Sequence, residues 1–218
     1  MLRYFALLSL LLGCAGQGAT LTPIGEKASA GHAAVNANEQ EYFARKRLEA
    51  MERMLNGLRD KSEMEKLKGV NDFFNRVRFV SDIQNWGVED YWARPSEFLA
   101  RDQGDCEDYV IAKYFALKRL GVPEKKLFFT YVKAVKFNQA HMVLTYYEDP
   151  KAVPLVLDNL NYRIFPATKR KDLVYVYSFN AESLFLNTQQ GRGKTLSGGK
   201  SRNKAWAAFL QRIEKEGL

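Results

Sequence analysis

This sequence is sparing with the residues that carry most nucleophilic and acid–base chemistry. Its 218 residues include two cysteines, Cys14 and Cys106, and two histidines, His32 and His141. Two cysteines this far apart make neither a disulfide scaffold nor a four-ligand zinc site. No apolar run approaches the ~20 residues that span a bilayer. The sequence has no D-x-D-x-D-G calcium loop. No zinc-finger spacing or RNA-binding signature accompanies the formal charge of +8. The basic balance therefore points away from nucleic acid and toward an acidic polypeptide, a membrane surface or plain solubility. No segment repeats. With 46% apolar residues the chain can bury one core of moderate size, as one domain.

What is present begins with an export signal at residues 1–18. Arg3 is a short basic region, Tyr4–Leu12 an apolar one, and small residues follow. Leu11-Leu12-Gly13-Cys14 resembles a lipobox, although Leu12 is not the small residue usual there. A lipid on Cys14 would be the chain's only membrane attachment. Once the leader is cut, Cys106 is the sole remaining thiol and no internal disulfide is expected. Exported compartments oxidise thiols, so a lone cysteine there suggests a reactive group or an intermolecular link.

Residues 19–37 read as a flexible lead, which makes His32 a bystander. Helical periodicity predicts helices over 38–59 and 62–80, with the Arg45-Lys46-Arg47 run on a solvated face. The stretch 79–95 is rich in aromatics and acids without a clean period, and Ser96 is placed to cap a short helix after Pro95. Val110, Ile111, Tyr114, Leu117 and Leu120 then mark a helix that Gly121 and Pro123 stop. Period-two patterning predicts strands over 127–135, 140–147, 155–158 and 173–178, joined as an antiparallel meander. Residues 189–203 read as a flexible Gly/Ser/Lys segment, and 204–218 as an amphipathic helix with Trp206, Phe209, Leu210 and Ile213 on one face. The catalytic domain is accordingly bounded at 38–188, and the fold class is α+β.

Gly104-Asp105-Cys106-Glu107-Asp108-Tyr109 puts Cys106 at the first turn of the central helix. Unpaired N–H groups and the positive end of the helix dipole favour a thiolate there. The competing reading is a small apolar filler with Asp105 as N-cap and ordinary first-turn acids. A thiolate needs a base and the base needs an orienting group. His141 opens a predicted strand, and Asp158 ends the next one, 17 residues later. Helix with Cys, strand with His, strand with Asp is the papain-like and transglutaminase-like order. The Cys106 N–H is one oxyanion donor, and Trp86 or Tyr91 is the candidate for the second.

From Val70 to Leu186 the chain resembles the bacterial transglutaminase-like cysteine proteinases of the LapG type. The resemblance rests on Asp90-Tyr-Trp-Ala93, Gly104-Asp-Cys-Glu-Asp-Tyr109, Tyr131-Val-Lys-Ala134, His141-Met-Val-Leu144, Leu155-Val-Leu-Asp-Asn-Leu160 and Val176-Tyr-Ser-Phe-Asn180, in that order. It implies a papain/transglutaminase-like fold and a periplasmic, Gram-negative cysteine endopeptidase with Cys106, His141 and Asp158 as its triad. It implies as substrate a large surface adhesin, cut near its N-terminus at a paired-alanine site to release it and promote biofilm dispersal. It implies control through sequestration by the periplasmic domain of an inner-membrane cyclic di-GMP receptor. It also implies a Ca2+ ion beside the nucleophile, held by Asp105 and Glu107. Asp108 and Asp90 are nearby acids that we add as further candidates. Two other readings fit the same residues: a transglutaminase or amidase, since the acceptor decides the outcome of acyl transfer, and a non-catalytic calcium-dependent binding module.

Overall fold

A computed structural model describes residues 37–180, 184–195 and 204–215. Helices α1 (Ala37–Leu58), α2 (Glu63–Phe74), α3 (Asp82–Asn85), α4 (Pro95–Arg101) and α5 (Cys106–Arg119) come first. A two-stranded parallel ladder, β1 (Arg78–Phe79) with β2 (Gln103–Gly104), ties their connections together. Strands β3 (Leu127–Ala134), β4 (Gln139–Tyr146), β5 (Leu155–Leu157), β6 (Phe165–Pro166), β7 (Leu173–Phe179), β8 (Leu184–Thr188) and β9 (Gly191–Thr195) form one antiparallel sheet. Helix α6 (Lys204–Lys215) follows. The class is α+β, as expected. No helix among the described residues is long and apolar enough to cross a membrane.

The sheet is not a simple meander. Its order is β6-β5-β4-β3-β7-β8-β9, so the chain runs outward from β3 to β6 and returns to add β7 on β3's other edge. This makes β3 a central strand, which accounts for its largely buried Leu127-Phe-Phe-Thr130 run. The segment read as flexible contains β9, which pairs with β8; the flexible reading fails for 191–195, where main-chain pairing outweighs a glycine-rich composition. Residues 196–203 of that segment, the expected export signal and the lead up to residue 36 lie outside the described residues.

Three helical details hold the site in place. Helix α2 opens on a capping box, with Ser62 N–H donating to Glu65 Oε2 (3.0 Å) and Glu65 N–H to Ser62 Oγ (3.3 Å). It ends at Phe74 rather than running to 80, because the following residues leave to pair as β1. Its Asn71 and Asn75 amides donate to the carbonyls of Tyr162 and Asp158, each at 2.8 Å, and so pin the loop after β5. Arg47 is not a solvated charge: its Nε and Nη2 donate to the carbonyls of Leu99 (2.6 Å) and Ala100 (2.8 Å), closing the C-terminus of α4. The residue at the N-cap of α4 is Arg94, not Ser96.

Helix α5 packs on β4 on one side and on α2 and α4 on the other. It is buried nearly all round, so even Lys113 is enclosed, and burial pushes its ammonium down to about 7 against the pull of Asp158 and Asp72. Gly121, at φ +80°, turns the chain out of the helix. Helix α6 docks on the core: Trp206 and Phe209 are buried, and the Trp206 ring lies 4.6 Å from Phe129 and 5.5 Å from Phe209.

Candidate active site

Cys106 is the first residue of α5, and Asp105 is its N-cap in extended backbone. Both are buried. The chain reaches this point through Gly104, where a Cβ would sit 2.4 Å from Asp108 Oδ2 and 2.7 Å from the Phe98 ring. Only glycine lets β2 feed the helix so tightly. Asp108 spends both oxygens on the same junction: Oδ1 accepts Ala93 N–H (2.8 Å) and Oδ2 accepts Asp105 N–H (3.2 Å). Sulfur Sγ of Cys106 lies 3.0 Å from Glu107 Oε2. Cys14, the other cysteine of the sequence, lies outside the described residues.

His141 and Asp158 are brought together. Nε2 of His141 lies 2.8 Å from Asp158 Oδ1, and both side chains are buried. Antiparallel pairing of Leu144 with Leu157 sets this register, placing the start of β4 beside the end of β5. A carboxylate can only accept, so Nε2 is the donating nitrogen and Nδ1 is left with its lone pair. Burial by itself would raise the Asp158 carboxyl. The His141 hydrogen bond and charge, the Arg170 guanidinium and the Leu160 N–H outweigh it and hold Asp158 well below the usual carboxylate range. Arg170 Nη2 lies 2.6 Å from Asp158 Oδ2, with both side chains buried. Arg170 was missed in the sequence, where it stands inside a charged run, Lys169-Arg-Lys-Asp172, that reads as solvent-facing.

The acids around Cys106 converge with one more. Carboxylate oxygens of Asp82, Asp90 and Glu107 lie within 4.8 Å of one another, and so do those of Asp82, Asp105 and Asp108. Asp82 is common to both groups and was not anticipated. It stands in a segment without periodicity, and nothing in its spacing from Cys106 marks it. Burial pushes the Asp82 carboxyl up to about 6, and burial with the charges of Glu107, Asp108 and Asp82 pushes Asp105 up to about 12. Oδ1 of Asp82 and Oδ1 of Asp105 are buried without a hydrogen-bond partner. Crowded carboxylates with orphaned oxygens are what a hard divalent cation satisfies, and all-oxygen donors suit calcium.

The guessed second oxyanion donors fare differently. The Tyr91 hydroxyl is 3.0 Å from Glu97 Oε1 and is committed there. The Trp86 indole N–H is buried without a partner, and Arg101 stacks over its ring at 4.1 Å.

A sequence model of the bacterial transglutaminase-like cysteine proteinases matches residues 29–183. The chain is similar to calcium-bound LapG of Legionella pneumophila at 38% identity and a TM-score of 0.68, over 81% of this chain and 98% of that one. It is similar to EGTA-treated LapG of the same organism at 37% identity and a TM-score of 0.69, over 81% and 94%. No curated protein matches.

Proposed function

The chain belongs to the bacterial transglutaminase-like cysteine proteinases and has their fold, and on that footing we propose that Cys106, His141 and Asp158 are its catalytic triad. The observation that carries this reading is the buried His141–Asp158 pair, held at 2.8 Å with His141 on β4, the strand against which the Cys106 helix packs, and Asp158 just after β5. The Cys106 thiolate attacks a backbone carbonyl, giving a tetrahedral oxyanion at the start of α5, where the Cys106 N–H and the helix dipole stabilise negative charge. His141, protonated by the thiol through Nδ1, returns that proton to the departing amine. The thioester left behind is hydrolysed by water activated by the same nitrogen. Asp158 holds the ring and offsets the imidazolium charge.

In this reading the protein is a calcium-dependent endopeptidase of the Gram-negative periplasm, tethered only if Cys14 carries a lipid. Its substrate is a large surface adhesin cut at a paired-alanine site, with release of the adhesin and biofilm dispersal as the consequence. Its regulator is the periplasmic domain of an inner-membrane cyclic di-GMP receptor. Asp82, Asp105 and Glu107, with Asp90 and Asp108 beside them, are the residues that would hold calcium; the ion would screen these carboxylates and favour the adjacent thiolate. LapG of Legionella pneumophila, solved calcium-bound and EGTA-treated, supports calcium here by its likeness. The test is to incubate the mature protein with an adhesin fragment carrying an alanine pair, with and without a chelator. Two cleavage products that vanish on chelation are expected. An uncut fragment, or its cross-linking to an added amine, would overturn the endopeptidase reading.

A further inference from the structure

Asp158 has two carboxylate oxygens, and the structure divides them. Oδ1 accepts from His141 Nε2 (2.8 Å) and from Leu160 N–H (2.9 Å). Oδ2 accepts from Arg170 Nη2 (2.6 Å). Arg170 is itself held: its Nε donates to Asp172 Oδ1 (2.9 Å), its Nη2 to Asp172 Oδ2 (2.7 Å), and its carbonyl accepts from Gln189 Nε2 (3.3 Å). Only 1% of the Arg170 side chain is exposed, whereas Asp172 is about half exposed at 49%, so the guanidinium bridges from the surface acid to the buried one. A fully buried arginine is costly and uncommon unless its charge is used.

We propose that Arg170 is a positioning residue for catalysis, acting through Asp158 on His141; this rests on the triad reading above. A buried carboxylate beside a neutral imidazole has two ways to relieve its charge. It can rotate to find other donors, or it can take a proton. Arg170 closes both. It fixes the carboxylate plane by occupying Oδ2, and it supplies the positive charge that keeps Asp158 ionised. Asp158 then can only accept at Oδ1, which forces the proton onto Nε2 and leaves Nδ1 as the base. Without Arg170 the carboxylate loses its hydrogen-bonded cation until the imidazolium itself forms, with only the charge of Lys113 near it, and among the described residues no other donor holds its second oxygen. The ring then loses its fixed tautomer.

The test compares Arg170→Gln, Arg170→Lys and Asp158→Asn in cleavage of the paired-alanine fragment, with circular dichroism and 15N spectra of the histidine ring. Arg170→Gln is expected to lower kcat by roughly tenfold or more with KM little changed, a part of the ~10⁴ that a wrong tautomer costs in a serine-protease triad. The His141 ring signals should shift from one tautomer to a mixture, and Arg170→Lys should recover part of both. A normal kcat in Arg170→Gln beside a depressed one in Asp158→Asn would overturn the positioning role and leave the triad standing. So would a fall in kcat that matches a loss of folded protein, with the His141 spectrum unchanged in the folded fraction. A normal kcat in Asp158→Asn would overturn the triad reading itself, and the positioning role with it.

Discussion

His141 Nε2 and Asp158 Oδ1 lie 2.8 Å apart with 5% and 0% of their side chains exposed. A hydrogen bond to an ionised partner in so dry a place fixes an imidazole far more firmly than one at a surface. It also fixes which nitrogen can serve as base. The Asn75 amide holds the Asp158 carbonyl at 2.8 Å, so main chain and side chain of this residue are both anchored.

Cys106→Ala should keep the fold and lose proteolysis entirely. The side chain is small and stands at a helix start, so the substitution leaves little cavity while removing the nucleophile. His141→Ala should do the same. The check is cleavage by each purified variant with a wild-type circular dichroism spectrum; residual turnover near the wild-type rate would discard the assignment.

Asp158→Asn should cost stability as well as activity, because it takes from Arg170 its buried ion-pair partner and leaves only the half-exposed Asp172, a loss of about 1–3 kcal/mol, below the ~3–5 kcal/mol of a buried charge left wholly unpaired. The sign with pH follows from the depressed carboxyl of Asp158. A group whose folded pKa lies below its unfolded value of about 3.9 contributes stability that is present above about pH 4 and lost as pH falls toward the folded value. The gap in unfolding free energy between wild type and Asp158→Asn should therefore be full at pH 7 and shrink below pH 4. Urea titrations across that range measure it, and a gap that stays constant would contradict the assignment.

Asp82→Ala should weaken calcium binding as severely as Asp105→Ala, since Asp82 is shared by both carboxylate groups. In wild type, calcium at a hundred times its Kd should stabilise the fold by about 2.7 kcal/mol. Calorimetric titration and thermal denaturation with and without calcium read both effects. Wild-type affinity in Asp82→Ala would remove this residue from the ligand set.

Gly104→Ala should destabilise the protein by about 1–3 kcal/mol through overpacking. The added carbon would meet Asp108 Oδ2 and the Phe98 ring at distances no relaxed contact shows. Because this residue feeds the chain into α5, cleavage should fall as well. A melting temperature and rate equal to wild type would show that Asp108 and Phe98 give way at no cost.

Much of this was legible in the chain itself. Helices α1, α2, α5 and α6 and strands β3, β4, β5 and β7 follow from periodicity, because the spacing of their apolar residues is written in consecutive positions. Cys106 at a helix start, with Asp105 capping it, was equally local: a glycine, an acid and an apolar run specify it within a few positions. A lone histidine in the structured region, an acid 17 residues later at the next strand's end, and then the family likeness pointed to His141 and Asp158 before the register of β4 on β5 was known. What tertiary structure alone decided lies between segments distant in sequence. The placement of β7 beside β3 depends on which edge of the sheet the returning chain reaches. β8 and β9 form from a weakly patterned, glycine-bearing stretch because β7 offers an unpaired edge. Asp82 joins the acids around Cys106, and Arg170 leaves a surface-like charged run to meet Asp158, only because folding brings their backbones alongside. A charged side chain carries no periodic signature of burial. Whether it faces water or another charge is set by what the fold places opposite it, and the local sequence does not encode that.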